Sequence, residues 1–464
     1  MNFQLPKLDL PKSSSPKAVV IFLFIFFGCI FCSTIVLLSE FPWNGNIIAW
    51  FEARDYYDQG NRLNSHHSYA EAEVRYRKAV NIYPKDWRFH LVLGKALIGL
   101  RKYKEAEEEF REVVELNPEL FDGWLELADC LASQGRDLKG AAEAAHKAIA
   151  LAPTNAVARA ELVYILGRQG KKDEADKELE AAASFEKENG RFWFLSGKYH
   201  WGAGDKQRAD AEFRQASLLD VTNPEYWEAA GVLLLTEHKS ADAVECLARA
   251  AKLNPRNALY QNNLGDGQRM NGDMPAAVSA YAKAASLDPK NTEYLLNLGL
   301  TQLVTQNYEK AEMNLQKVIE ANPGDNRAWK GYINALDLQK KYDKAENFLQ
   351  KLLSTPEYEK SVATWVYMGN IRFNNGDIKG AEEALSHALS ISSDEDEKKQ
   401  VIQILTRLKE KGAERKPDGA ANSNAGKQPD GPADSNAGKQ LEGPANSNAD
   451  KKLDSPIKDK AKKE

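Results

Sequence analysis

Cysteine is scarce in this chain, with four among 464 residues. Cys29 and Cys32 are flanked by apolar residues, which is not the setting of a redox or metal-binding pair. Cys130 and Cys246 lie far apart in the sequence. The cysteines therefore imply no disulfide framework of the kind that stabilises small secreted domains.

Catalytic motifs are missing as well. The sequence contains no glycine-rich phosphate loop, no HExxH pair and no nucleophile elbow, and its seven histidines are scattered. The segments outside the repeats described below are too short to hold an appended catalytic domain. We therefore expect no enzymatic activity and no cofactor or metal site.

A strong charge of one sign is also lacking, because the net charge is only −5. Proteins that bind nucleic acid usually present a basic face, so we expect no nucleic-acid partner. The sequence has no Asn-x-Ser/Thr glycosylation site, although some would arise by chance in a protein of the eukaryotic secretory route. Their absence favours a protein of the bacterial cell envelope.

The chain does have a strict period. Ten alanines recur at intervals of 34 residues in seven of nine cases, and at 35 and 36 residues in the other two. A fixed period of this length indicates one small supersecondary unit that is stacked many times. The alanines are Ala72, Ala106, Ala141, Ala175, Ala209, Ala243, Ala277, Ala311, Ala345 and Ala381.

Other residues keep the same period. A large residue such as Phe110 follows most of the alanines by four positions, and a glycine such as Gly94 precedes most of them by twelve. A proline such as Pro118 follows six of them by twelve positions. Small residues let two helices approach, and proline ends a helix. The spacing predicts two helices per unit, with the large residue filling the gap toward the next unit.

This pattern resembles the tetratricopeptide repeat family, in which 34-residue units carry glycine, alanine, aromatic and proline residues at fixed positions. The resemblance covers residues 52–393 as ten repeats. It implies an all-α fold, a right-handed superhelical solenoid of about ten helix-turn-helix repeats. The seventh unit shows the pattern with Leu264, Gly265, Ala277, Tyr281, Ala284 and Pro289.

The N-terminal region contains a long apolar run. Residues 18–39 carry no charged side chain, and about 20 apolar residues span a bilayer as a helix. The run therefore predicts a transmembrane helix. Lys7, Lys12 and Lys17 precede it, which predicts a single-pass protein with residues 1–17 in the cytoplasm and the repeats in a bacterial periplasm. A cleaved signal peptide and a lipoprotein signal are the alternatives.

The C-terminal region divides into two parts. Residues 394–412 predict a capping helix, because Val401, Ile402, Leu405 and Leu408 form an apolar stripe among charged residues. Residues 413–464 contain three copies of a 12-residue unit rich in glycine, proline, asparagine and serine. This composition predicts a disordered tail, which could be a spacer or could contact the envelope or a partner.

The resemblance also implies a binding surface. In the tetratricopeptide family the first helix of each repeat lines a concave groove, with its second, fifth, ninth and twelfth positions facing inward. The alternative is that these side chains face water and bind no partner. The candidate groove residues are Arg54, Asn61, Arg88, Lys95, Arg191, Phe194, Lys198, Trp201, Asn262, Asp266, Arg269, Lys330, Asn334, Asn370 and Phe373.

The expected function is a membrane-anchored scaffold or assembly factor that binds unidentified protein or peptide partners in this groove, and self-association is possible. One alternative is a non-catalytic accessory subunit of a cell-envelope enzyme or a secretion complex. Another is a co-chaperone that binds the C-terminal carboxylate of a chaperone. Lys330 and Asn334 could begin such a clamp, but Tyr367 stands where the next repeat would need asparagine.

Overall fold

The computed structural model describes residues 47–183, 185 and 188–414. These residues form twenty-two α-helices and, within that range, no β-strand. The predicted all-α class is confirmed. The chain divides into two compact units, Met1–Val221 and Thr222–Glu464.

Unit 1 contains five pairs of antiparallel helices, and in each pair the first and second helices pack along their length. The pairs are α1 (Ile47–Asn64) with α2 (Tyr69–Ile82), α3 (Trp87–Gly99) with α4 (Tyr103–Leu116), α5 (Phe121–Gln134) with α6 (Leu138–Leu151), α7 (Ala156–Arg168) with α8 (Lys172–Ala183), and α9 (Gly190–Gly202) with α10 (Lys206–Leu219).

Unit 2 contains five further pairs, a short helix and a final long helix. The pairs are α11 (Pro224–Thr236) with α12 (Ser240–Leu253), α13 (Ala258–Met270) with α14 (Met274–Leu287), α15 (Thr292–Val304) with α16 (Tyr308–Ala321), α17 (Asn326–Leu338) with α18 (Tyr342–Leu353), and α20 (Val362–Asn374) with α21 (Ile378–Ile391). The short helix α19 (Pro356–Glu359) precedes α20, and α22 (Glu395–Glu414) ends the described chain.

The helix ends follow from local sequence. At the start of α7 the side chain of Asn155 accepts hydrogen bonds from the amides of Val157 and Ala158, at 2.9 and 3.1 Å. At the end of α4 the amide of Asn117 donates to the carbonyl of Val113, and Pro118 follows. A capping side chain satisfies amides that the helix leaves unpaired, and proline prevents a further turn.

The periodic small residues let the two helices of a pair touch. In the second repeat Ala106 is fully buried, and a Cβ atom on Gly94 would lie 2.5 Å from Cε1 of Phe110. The large residue therefore covers the glycine of its own repeat, rather than only filling the gap toward the next repeat as predicted. Leu315 does both, because it contacts Gly299 of its own repeat and Gly331 of the following one.

Two elements absorb the irregular spacings of the alanines. The 35-residue interval contains α5, which has 14 residues where α3, α7 and α9 each have 13. Gly135 then ends α5 with a φ of 71°, a left-handed conformation that glycine adopts without strain. The 36-residue interval contains the extra helix α19.

The last helix, α22, covers the end of unit 2. Val401 and Leu408 are buried in a cluster with Phe373, Leu385 and Ala388 of the tenth pair. Ile402, which the sequence places in the same apolar stripe, is 48% exposed. The buried face of α22 is therefore narrower than the stripe predicts. The predicted tail, residues 413–464, lies outside the described residues from 415 onward.

The predicted location needs correction. In the part of the chain that the structure describes, no helix is long and apolar enough to cross a bilayer. On this finding the prediction of a single-pass membrane protein with periplasmic repeats is wrong and is withdrawn. Residues 1–17 and 18–39, on which that prediction depended, lie outside the described residues.

Candidate binding groove

Charged side chains from four successive first helices of unit 1 meet around Arg191. Its guanidinium nitrogens lie 3.5 Å from Glu126 Oε1, 3.2 Å from Asp129 Oδ2 and 3.8 Å from Glu161 Oε2. Lys95 Nζ lies 3.3 Å from the same Glu126 oxygen. We call these five residues, carried by α3, α5, α7 and α9, the Arg191 cluster. The side chains of Arg191 and Asp129 are 28% and 31% exposed, so a partner can reach them.

Glu161 is the unusual member of the Arg191 cluster. Its side chain is fully buried, and neither carboxylate oxygen accepts a hydrogen bond. The pKa of Glu161 is raised to about 8, chiefly by burial and next by the charge of Asp129, whereas Arg191 and Lys198 oppose the shift. A buried carboxylate without a donor is costly, so the proton-bound form is favoured at neutral pH.

Aromatic rings adjoin the Arg191 cluster on α7 and α9. The ammonium of Lys198 lies 3.9 Å from the ring centre of Tyr164 and 5.3 Å from that of Phe194. Trp201 is half-buried and meets Phe213 edge-on at 6.1 Å between ring centres. Four predicted residues, Arg191, Phe194, Lys198 and Trp201, therefore share α9 with partly exposed rings and charges.

Apart from Lys95, the predicted residues of the first two repeats form hydrogen bonds or ion pairs within these repeats. Asn61 accepts a hydrogen bond from the hydroxyl of Tyr76 at 2.8 Å. Arg88 pairs with Asp86 at 2.6 Å, and Trp50 Nε1 donates to the same carboxylate at 3.0 Å.

Arg54 and Arg88 flank one ring. Their guanidinium carbons lie 5.9 and 5.8 Å from the ring centre of Trp50, and Arg54 also lies 3.4 Å from Asp58. The structure brings Arg54 and Arg88 together at this tryptophan, where they form a second charged group separate from the Arg191 cluster.

In unit 2 the three predicted residues of the seventh repeat form a polar network. Asp266 accepts hydrogen bonds from the hydroxyl of Tyr281 at 2.7 Å and from the amide of Asn262 at 3.2 Å, and Arg269 lies 3.8 Å away. Asn297 donates to Asn262 at 3.0 Å. Burial raises the pKa of Asp266, and the hydrogen bond from Tyr281 opposes that shift.

The remaining predicted residues do not form one site. Lys330 lies 5.6 Å from the ring centre of Trp329. Burial raises the pKa of Tyr367, and the nearby side chain of Asn334 opposes that shift. Asn370 is half-buried on α20.

Phe373 is placed differently from the prediction. It is 6% exposed and belongs to the cluster that contains Val401 and Leu408 of α22. Phe373 is therefore a core residue in this structure, in a cluster to which the final helix contributes.

Comparison with known protein families identifies the repeat. Two family models, both described as tetratricopeptide repeat, match the chain. The first matches residues 52–118, 91–156 and 228–292. The second matches residues 269–331 and 305–355. Together these matches span half of the chain. The chain belongs to the tetratricopeptide repeat family. A comparison with curated proteins found no match.

Several solved structures are similar to this chain at low sequence identity. A human IFIT1 dimer with PPP-AAAA is 17% identical, with 74% of this chain and 82% of that chain covered and a TM-score of 0.44. Pseudomonas aeruginosa pilF is 21% identical, with 45% and 95% covered and a TM-score of 0.39. Yeast Tom70 is 14% identical, with 79% and 97% covered and a TM-score of 0.32.

The tetratricopeptide register alone missed two acidic residues of the Arg191 cluster. Glu126 and Glu161 each follow by one position a residue that the register places in the groove, and Asn297 does the same in unit 2. The sequence offers one sign of Glu161, a single acid within the apolar stretch of α7. The sixth position of the first helix therefore belongs to the candidate site.

Proposed function

We propose that this tetratricopeptide protein is a scaffold or assembly factor whose unit 1 binds a segment of a partner protein at the Arg191 cluster. Tetratricopeptide repeats are protein-interaction modules, and proteins of this family bind protein or peptide partners. The fold is generally non-catalytic. Among the described residues, no group of three or more His, Cys, Asp or Glu is arranged to hold a metal ion.

The observation that carries the proposal is the convergence of charges from separate repeats. Lys95, Glu126, Glu161 and Arg191 belong to four different helices, yet their charged groups lie within 4 Å of a neighbour in the cluster. A partly buried ion cluster adds little to stability, because desolvation offsets much of the attraction between its charges. Recognition of a partner gives this arrangement a use that folding alone does not.

The rings beside the cluster suit the same role. Tyr164, Phe194 and Trp201 offer apolar surface next to charged groups. Aromatic residues and arginine supply much of the binding energy at protein interfaces. A bound segment could therefore combine apolar contacts with α9 and polar contacts with the Arg191 cluster.

Photo-crosslinking in the native cells tests this proposal. The photoreactive residue p-benzoylphenylalanine replaces Trp201 in the full-length chain, and a matched variant carries it at Met313, which is 58% exposed on the second helix α16. We expect a discrete partner to be captured at position 201 and not at position 313. Arg191→Ala in the first variant should reduce the recovery of that partner about tenfold or more, as expected for an interface arginine.

Two results would contradict the proposal. One is capture of the same proteins at both positions, which would indicate random collisions. The other is undiminished capture after the Arg191→Ala change, which would remove the Arg191 cluster from the interface. Circular dichroism of the variant establishes that any loss is not due to unfolding.

A further inference from the structure

We infer that the partner segment carries a lysine or arginine side chain that donates hydrogen bonds to Glu161. This inference rests on the proposed function, because it names the chemistry of the segment that would lie on the Arg191 cluster. Glu161 is a fully buried carboxyl group that holds its proton at neutral pH, and neither of its oxygens accepts a hydrogen bond. Leaving such a group unsatisfied costs several times the net gain of an ordinary hydrogen bond, so the site lacks a donor.

The neighbouring cations are held away from Glu161. Arg191 Nη2 is 3.8 Å from Glu161 but 3.2 Å from Asp129, so its nearer partner is Asp129. Only the second distance is within hydrogen-bonding range. Lys95 pairs with Glu126, and the ammonium of Lys198 lies on the ring of Tyr164. The existing cations therefore lower the local negative potential without donating to Glu161.

A basic group fits this place better than an acidic one. Glu126 and Asp129 already pair with Lys95 and Arg191, whereas neither oxygen of Glu161 accepts a hydrogen bond, so the place beside Glu161 calls for a donor. An acidic side chain would add repulsion and leave Glu161 without a donor, whereas a guanidinium has five donors and can bridge two carboxylates. The described residues hold no group arranged to bind a metal ion, which makes a partner side chain the better occupant.

Access to Glu161 passes Arg191. The arginine side chain is 28% exposed, whereas the Glu161 side chain 3.8 Å away is fully buried. Rotation of Arg191 toward Glu126 and Asp129 would keep both of its shorter ion pairs and open the way to Glu161. A bound cation would also favour the charged form of Glu161, so binding should release a proton from it.

Carboxyl NMR on the full-length chain tests the inference. The protein is labelled with ¹³C at the glutamate carboxyl carbons, and Glu161→Gln identifies the Glu161 resonance by its disappearance. The probe is the capped peptide Ala-Leu-Ala-Arg-Ala-Leu-Ala. The control probe replaces arginine with citrulline, which has the same shape and no charge.

We expect the arginine peptide to move the Glu161 resonance to its deprotonated position. It should also bind about tenfold or more tightly than the citrulline peptide, the factor expected for hydrogen bonds to a charged group. Glu161→Gln should abolish that preference, whereas Glu309→Gln on the exposed face of α16 should leave it unchanged. If the Glu161 resonance does not shift with the arginine peptide, or shifts equally with both peptides, the inference is wrong.

The two proposals fail in different ways. If a partner is captured at position 201 but the Glu161 resonance does not respond, the scaffold proposal stands. The inference that the partner segment carries a basic side chain is then wrong. A responsive Glu161 without any capture at position 201 would show a cation site that the proposed partner does not use, and that result would overturn the inference as well.

Discussion

Single residues set how closely the helices of this protein approach. Gly197 on α9 lies under the ring of Phe213, where an added Cβ atom would be 2.6 Å from Cε1 of that ring. Gly202, at the end of the same helix, has no heavy atom within 4 Å of an added Cβ atom. The first glycine is therefore required by packing, and the second is not.

Gly197→Ala should destabilise the protein by roughly 1–3 kcal/mol, because the new methyl group overpacks the contact with Phe213. Gly202→Ala should be neutral or stabilising by up to about 1 kcal/mol, because alanine favours the helix over glycine. Denaturant titration followed by circular dichroism measures both. Equal effects of the two changes would contradict the close approach at Gly197.

Glu161 should make stability depend on pH. Its pKa in the folded protein is raised to about 8 from an ordinary value of 4.5, so the folded state holds this proton more tightly than the unfolded state. The resulting stability is present below the ordinary pKa and is lost as the pH rises through about 8. Glu161→Gln cannot lose a proton and should avoid that loss.

The stability of the variant relative to the wild type should therefore rise by an amount on the order of 4 kcal/mol between about pH 5 and about pH 9, since one pKa unit corresponds to about 1.4 kcal/mol. Thermal melts of both proteins across that range measure the difference. Glu309→Gln, at an exposed position on α16, should show no such trend. A constant offset between wild type and Glu161→Gln would mean that Glu161 titrates normally.

At the scale of elements, each helix pair depends on its neighbours to cover its apolar face. The tenth pair has α22 as its final neighbour, and Val401 is 2% exposed against that pair. Ile402, the next residue, is 48% exposed. Val401 and Ile402 are similar in size and chemistry, but Val401 lies on the buried face of α22 and Ile402 on its exposed face.

Val401→Asp should detach α22 at a cost of roughly 2–4 kcal/mol, because it places an unpaired charge in an apolar cluster. Hydrogen exchange should then become faster in α22 and in the neighbouring helices α20 and α21. Ile402→Asp should leave exchange nearly unchanged. Fast exchange in α22 of the wild type would show that its docking contributes little.

At the scale of the whole molecule, much of the helical architecture could be predicted from the 34-residue period. The alanines and glycines mark where helices touch, and such local rules repeat in every unit. The groove residues were harder to predict. Phe373 is a core residue in a cluster that includes residues of α22, and Glu161 lies one position away from the positions of the family register. Both depend on neighbours that a periodic pattern does not reveal.

The short helix α19 has a consequence for how this protein can change in evolution. It takes up the extra residues of the longest interval, while the alanines of the repeats before and after it, Ala345 and Ala381, stay buried. Small insertions in the gene are therefore tolerated at this junction without loss of register in the adjoining repeats. Duplication of whole units and single-turn insertions between them are two independent routes by which such a chain can lengthen.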